Sequence, residues 1–139
     1  MKSDADSGVA NGDAKEKDSA AVVENGTETY KTLVHCDKTA FSMMVPEVLA
    51  SVEKLEHAIP TGETLDCIVI GIETHICVLQ TSLDLLARGH RVYVPQDGVS
   101  SCNAEERPVA LARLRQEGVR VTTSESLIYE ILGDAKDLS

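Results

Sequence analysis

From residue 33 onward, apolar residues alternate between short continuous runs and stripes spaced three or four apart, the pattern of strands alternating with amphipathic helices. Residues 33–36 read as a short strand. Residues 45–57 read as a helix with Val48, Val52 and Leu55 turned to the sheet, closed by a turn at 60–63. Residues 66–72, DCIVIGI, are too short an apolar run for a helix and are rich in β-branched side chains, which predicts a strand buried on both faces. The following helix carries Ile76, Leu79, Leu83 and Leu86 on one stripe, and Gly89 supplies its left-handed stop. A strand at 91–94 leads to a loop at 97–103, where Gly98, Ser100, Ser101 and Asn103 supply turn chemistry. Asn103 and Glu106 have capping-box spacing, but Pro108 one turn later moves the main body of that helix to about Arg107. The last strand falls at 119–122. Ser124 then caps a final helix with Leu127, Ile128 and Ile131 inward, ended by Gly133. Strand and helix in alternation predict an α/β fold with a parallel sheet and crossover helices, and no internal repeat is visible.

Residues 1–28 break this rhythm. They hold three lysines against seven carboxylates, and their longest apolar run is 20–23, too little apolar surface to offset the entropy of ordering the segment. The expectation is a flexible acidic tail, with neither the apolar core of a signal peptide nor the basic face of a transit peptide. A single domain of about 111 residues, 29–139, remains. The net charge of −10 argues against nucleic acid as a partner, and Arg107, Arg113 and Arg115, interleaved with Glu105, Glu106 and Glu117, read as a solvated helix face. No run is long enough to cross a membrane. Cys36, Cys67, Cys77 and Cys102 are dispersed without the scaffold of a small secreted protein, so reduced thiols and a cytoplasmic location are expected. With no CxxC and no spaced histidine pair, no metal site is expected.

Cys77 stands where a strand gives way to a helix. The carboxyl end of a parallel strand is where ligand crevices form, and the first helical turn offers unpaired N–H groups and a positive dipole end. A thiol there is a candidate nucleophile. The competing reading is a small buried hydrophobe, the common fate of free cysteine.

Three segments taken together decide more than Cys77 alone: HCDKTAFSMMVPEVL at 35–49, GIETHICV at 71–78 and VYVPQDGVSSC at 92–102. In order and spacing they resemble the isochorismatase-like cysteine hydrolases, with most likeness to the isochorismatase domain-containing proteins, from about Leu33 to the C-terminus. The resemblance implies a three-layer α/β/α sandwich with a mostly parallel, Rossmann-like sheet, no cofactor, and a catalytic trio of aspartate, lysine and cysteine. Lys38 matches the lysine and Cys77 the nucleophile. A cis peptide would fall between Ile72 and Glu73, in the turn that with Cys77 forms the oxyanion hole.

The family aspartate ends an N-terminal apolar strand, and this chain has no such strand. Asp4, Asp6, Asp13 and Asp18 lie in the polar tail, and Asp37 neighbours Lys38 in extended chain, which turns the two side chains to opposite sides. The domain therefore reads as N-terminally shortened, a truncated or alternatively spliced form, with its catalytic trio incomplete. The expected chemistry is attack by Cys77 on an electron-poor carbonyl, the thiolate held by the Lys38 charge, then hydrolysis of a thioester. An amide-type C–N bond in a small molecule suits a thiol better than the vinyl ether of isochorismate. Loss of the aspartate predicts hydrolysis slowed by about 100-fold or more. His75 is the nearby titratable group, either a substitute base or a ligand-lining side chain, and Ser42, Met43 and Met44 are candidate pocket residues near Lys38. The alternative is a non-catalytic binding module. With its neighbouring strand absent, the edge at 66–72 is expected to favour association with another copy or a partner.

Overall fold

The computed structural model describes residues 32–138. The chain divides into two units, Met1–Leu33 and Val34–Ser139, and the regular elements of the described residues lie in the second. The tail expected at 1–28 is outside the described residues.

The second unit is an α/β layer structure. Its strands are β1 (Asp66–Ile68), β2 (Gly71–Ile72), β3 (Arg91–Pro95), β4 (Val99–Ser100) and β5 (Arg120–Thr122). Its helices are α1 (Pro46–Ala58), α2 (Leu79–Ala87), α3 (Glu106–Gln116) and α4 (Ser124–Leu132). One parallel sheet has the order β1-β3-β5, and β2 pairs in parallel with β4 beyond it. A bond from Val69 N–H to the Tyr93 carbonyl, 2.9 Å, continues the β1 ladder into the gap before β2. The two short strands are one extended run with an interruption at 69–70. Residues 33–36, expected as a strand, form none: among the described residues nothing pairs with them to build a ladder.

The core lies on one face of the sheet, where Val92, Val94 and Val99 meet Val78, Leu79 and Leu85 around α2 and Leu111 and Leu114 of α3. Thr81 and Ser82 are buried on the α2 face along with Leu85, so that face is wider than the expected leucine stripe. Gly89, at φ 86°, ends α2 as the sequence predicts, and Gly133, at φ 72°, ends α4.

The other face is poorly covered. There β3 turns Tyr93 toward Leu127 of α4, leaving a cavity of about 210 Å³ lined also by Asp66, Ile68, Glu130 and Ile131. The expectation that 66–72 is buried on both faces is corrected: Cys67 and Val69 are half-buried toward the core, whereas Ile68, Ile70 and Ile72 are 49%, 67% and 65% exposed. Ile128 and Ile131, expected inward, are exposed beside them, because among the described residues no element lies over that side. Leu55 is likewise exposed, and α1 buries no residue fully.

Two capping expectations change as well. Thr123, not Ser124, caps α4 by accepting from Ser126 N–H, and Asp97 accepts from the Ser124 N–H at 2.8 Å. Helix α3 begins at Glu106, with Pro108 inside its first turn, where its missing N–H costs nothing; Asn103 accepts from Glu105 N–H and no capping box forms.

Candidate active site

The site is built where β2 runs into α2. The peptide between Ile72 and Glu73 is cis, at the position the resemblance implied, and a single π-helical turn, Thr74–Val78, joins the strand to the helix. The Glu73 carbonyl gathers the N–H groups of Ile76 and Val78, each at 3.1 Å. Cys77 sits in this turn, half-buried, and is one of four unpaired thiols.

Lys38 arrives from an irregular segment 39 residues earlier, and its ammonium lies 3.6 Å from Cys77 Sγ. The carbonyls of Ala40 and Phe41 accept from the same ammonium at 2.8 and 2.9 Å, aiming it at the sulfur. Its three donors are thereby all engaged. The segment is tied to α2 a second time: Met43 N–H donates to Thr81 Oγ1 at 2.9 Å. Ser42 Oγ accepts from Met44 N–H at 3.1 Å, which fixes the local turn, while Met44 packs on the core. Sequence reasoning missed Thr81; its signal was a polar residue on the apolar face of the helix.

No carboxylate joins Lys38 and Cys77 among the described residues. Asp37 is exposed and makes no ion pair with its neighbour Lys38. His75 has its ring Nδ1 3.0 Å from Ser101 Oγ and 4.0 Å from Glu73 Oε2, so the ring engages the loop after β4 and not Cys77.

That loop, which the sequence marks through its turn residues and the end of the segment 92–102, is tied to the nucleophile turn. Glu73 accepts from the Cys102 N–H at 2.7 Å, and the Cys102 thiol lies 3.0 Å from its other oxygen. These bonds hold the Glu73 carboxyl below its ordinary range, and the neighbouring carboxylate pushes the Cys102 thiol up. Cys67 is also pushed up, first by burial and then by Asp66. Arg107 does not lie on a solvated face as expected. It is half-buried and donates to the carbonyls of Val99, at 3.1 Å, and Gln96, so it braces β4 and the turn that leads into it.

Comparison with known proteins decides the family. The model of the isochorismatase domain matches residues 2–126. This chain belongs to the isochorismatase family. A secreted isochorismatase effector of Phytophthora sojae is 46% identical over 99 residues, which make up 71% of this chain and 45% of that protein. Among solved structures, one titled a MAR1 ribonuclease from Caenorhabditis elegans superposes with a TM-score of 0.63 at 39% identity, covering 73% of this chain and 48% of that one. A Staphylococcus aureus nicotinamidase gives a TM-score of 0.52 at 30% identity over 63% of this chain and 51% of its own. The chain spans about half the length of the curated relatives it matches. The α/β/α architecture of these neighbours agrees with the fold expected from the sequence. Among the described residues no helix is long and apolar enough to cross a membrane.

Proposed function

We propose that this chain carries the nucleophile half of a cysteine hydrolase site acting on an amide-type C–N bond of a small molecule. Cys77 is the nucleophile and Lys38 stabilises its thiolate. The observation that carries the reading is the 3.6 Å contact between Lys38 Nζ and Cys77 Sγ in the first turn after a parallel strand. A cation against a sulfur at a helix start is the environment in which a thiol becomes a nucleophile. Ile76 and Val78 N–H groups are bound to the Glu73 carbonyl, so the oxyanion falls to the N–H of Cys77 itself. A neutral amide is preferred to a nucleic acid because the chain bears a net charge of −10. One structural neighbour, from Staphylococcus aureus, is a nicotinamidase, which supports an amide as the substrate class. The unpaired thiols fit a reducing, cytoplasmic compartment.

In the acylation step the Cys77 sulfur bonds to the amide carbon, the C–N bond breaks, and ammonia leaves carrying the thiol proton. With no carboxylate base beside Cys77 among the described residues, hydrolysis of the thioester is the slow step on this reading. Nicotinamide is therefore the probe. Intact-mass and peptide spectra should show a nicotinoyl group on Cys77, absent from the Cys77→Ser protein, with ammonia released only slowly thereafter. Neither adduct nor ammonia at millimolar probe would contradict the proposal.

A second reading, a binding module, is favoured by the exposed Ile68, Ile70 and Ile72 and by the edge of β1, which is unpaired among the described residues. Those features offer a strand template beside an apolar surface, which is how sheets recruit another copy or a partner.

A further inference from the structure

Three consecutive side chains of the nucleophile turn reach three consecutive residues, Ser100 at the end of β4 and Ser101 and Cys102 of the loop that follows. Glu73 holds Cys102 through its N–H and thiol, Thr74 Oγ1 donates to the Ser100 carbonyl at 2.8 Å, and His75 Nδ1 lies 3.0 Å from Ser101 Oγ. Backbone pairing of β2 with β4 ends at Ile72 and Ser100, so side chains extend the contact where the ladder stops. Thr74 is fully buried, and its bond is shielded from water. The segment leading into Ser100 is in turn held by Arg107, through Val99 and Gln96, and by Asp97, which accepts from Ser124 N–H. Glu73 has bonds at both ends: its carbonyl gathers the N–H groups of the turn, and its carboxylate gathers the loop.

We infer that Glu73, Thr74 and His75 are positioning residues that lock the Cys77 turn to the loop at Ser100–Cys102, with the Cys102 thiol as one donor of that lock. The inference rests on the reading of Cys77 as nucleophile and adds residues that do not touch the reacting atoms. The reason a lock matters lies in the other partner. Lys38 comes from an irregular segment and meets Cys77 at 3.6 Å through one side-chain contact, so a turn free to shift by about 1 Å would lose alignment worth as much as 100-fold in rate. Bonds to an ionised carboxylate are the stronger kind, which makes Glu73 the main anchor.

A purely structural clamp would change melting without changing Cys77 chemistry. The discriminating readout is the second-order rate of Cys77 alkylation by iodoacetamide, resolved by peptide mass spectrometry, beside a thermal melt of each variant. Glu73→Ala should slow Cys77 alkylation about 10-fold and Cys102→Ala about 3-fold, the scale of lost hydrogen bonds to a charged group. Cys102→Ser, which keeps a donor to Glu73, should restore the wild-type rate within about 2-fold. Cys102 is exposed, so its variants spare the core. Wild-type alkylation in both Ala variants would overturn the inference, as would equal slowing in Cys102→Ala and Cys102→Ser. Lys38→Met separates the two levels of argument. If it slows Cys77 while the clamp variants do not, only the positioning inference falls; if it leaves Cys77 unchanged, the proposed function falls and takes the inference with it.

Discussion

Lys38 and Cys77 illustrate how a site of this kind is assembled from residues that do little alone. An ammonium bound to two backbone carbonyls keeps one donor for a sulfur, and the sulfur is held at a turn by bonds that none of its own atoms make. Glu73 gives the residue-scale test. Its carboxyl is depressed first by the Cys102 thiol and then by the Cys102 N–H, so the contribution of this contact is present above the ordinary value of 4.5 and is lost as pH falls through the lower folded value. Cys102 is raised, so on its side the contact is intact below 9.0 and is lost as pH rises through the higher folded value. A carbon-detected NMR titration of the Glu73 carboxyl should give a midpoint below 4.5 that moves upward in Cys102→Ala. An unchanged midpoint would mean that the thiol does not face the carboxylate in solution. The meeting of Lys38 with Cys77 and the cis peptide between Ile72 and Glu73 were implied by the family resemblance of short motifs, since the residues alone do not mark a cis bond. Thr81, Arg107 and the roles of Glu73 and His75 were not, since each acts through a partner 8 to 38 residues away that no local pattern reveals.

Among the elements, α2 and β3 follow the apolar rhythm closely because both sequence neighbours and packed neighbours are present to bury them. The misreadings concentrate on one side. Residues 66–72 look doubly buried by composition, and Ile128 and Ile131 look inward by spacing, yet all five isoleucines among them stand exposed on the face that α4 only partly covers. Hydrophobicity records which surfaces are meant to be covered, and it cannot show whether the cover is within the described residues. An open β1 edge beside such a face is expected to associate. Sedimentation velocity should show self-association rising with concentration in the wild-type chain, and Ile70→Asp should shift the equilibrium at least about 10-fold toward monomer, the scale of one charge set into an apolar contact. A wild-type chain that remains monomeric at about 100 μM, a concentration at which even weak micromolar association shows, would argue that this face is covered in solution.

At the scale of the whole molecule, the chain is an α/β member of the isochorismatase family that sets Lys38 against Cys77 and ties the Cys77 turn to the loop after β4, with no carboxylate beside Lys38 and Cys77 among the described residues. Acylation and hydrolysis then have different requirements. On the proposed reading, the first needs a thiolate and an oxyanion donor, for which Cys77 and its turn are the candidates, and the second needs a base that activates water. The most direct test of the central claim, that Lys38 makes Cys77 the reactive thiol, is competitive iodoacetamide labelling of all four cysteines at pH 7, read peptide by peptide, in the wild-type and Lys38→Met proteins. The account predicts that Cys77 labels first, with Cys67 and Cys102 behind it because burial and Glu73 hold those two thiols protonated, and that Lys38→Met removes most of that lead. Four thiols labelling at similar rates, or a lead that survives Lys38→Met, would contradict it.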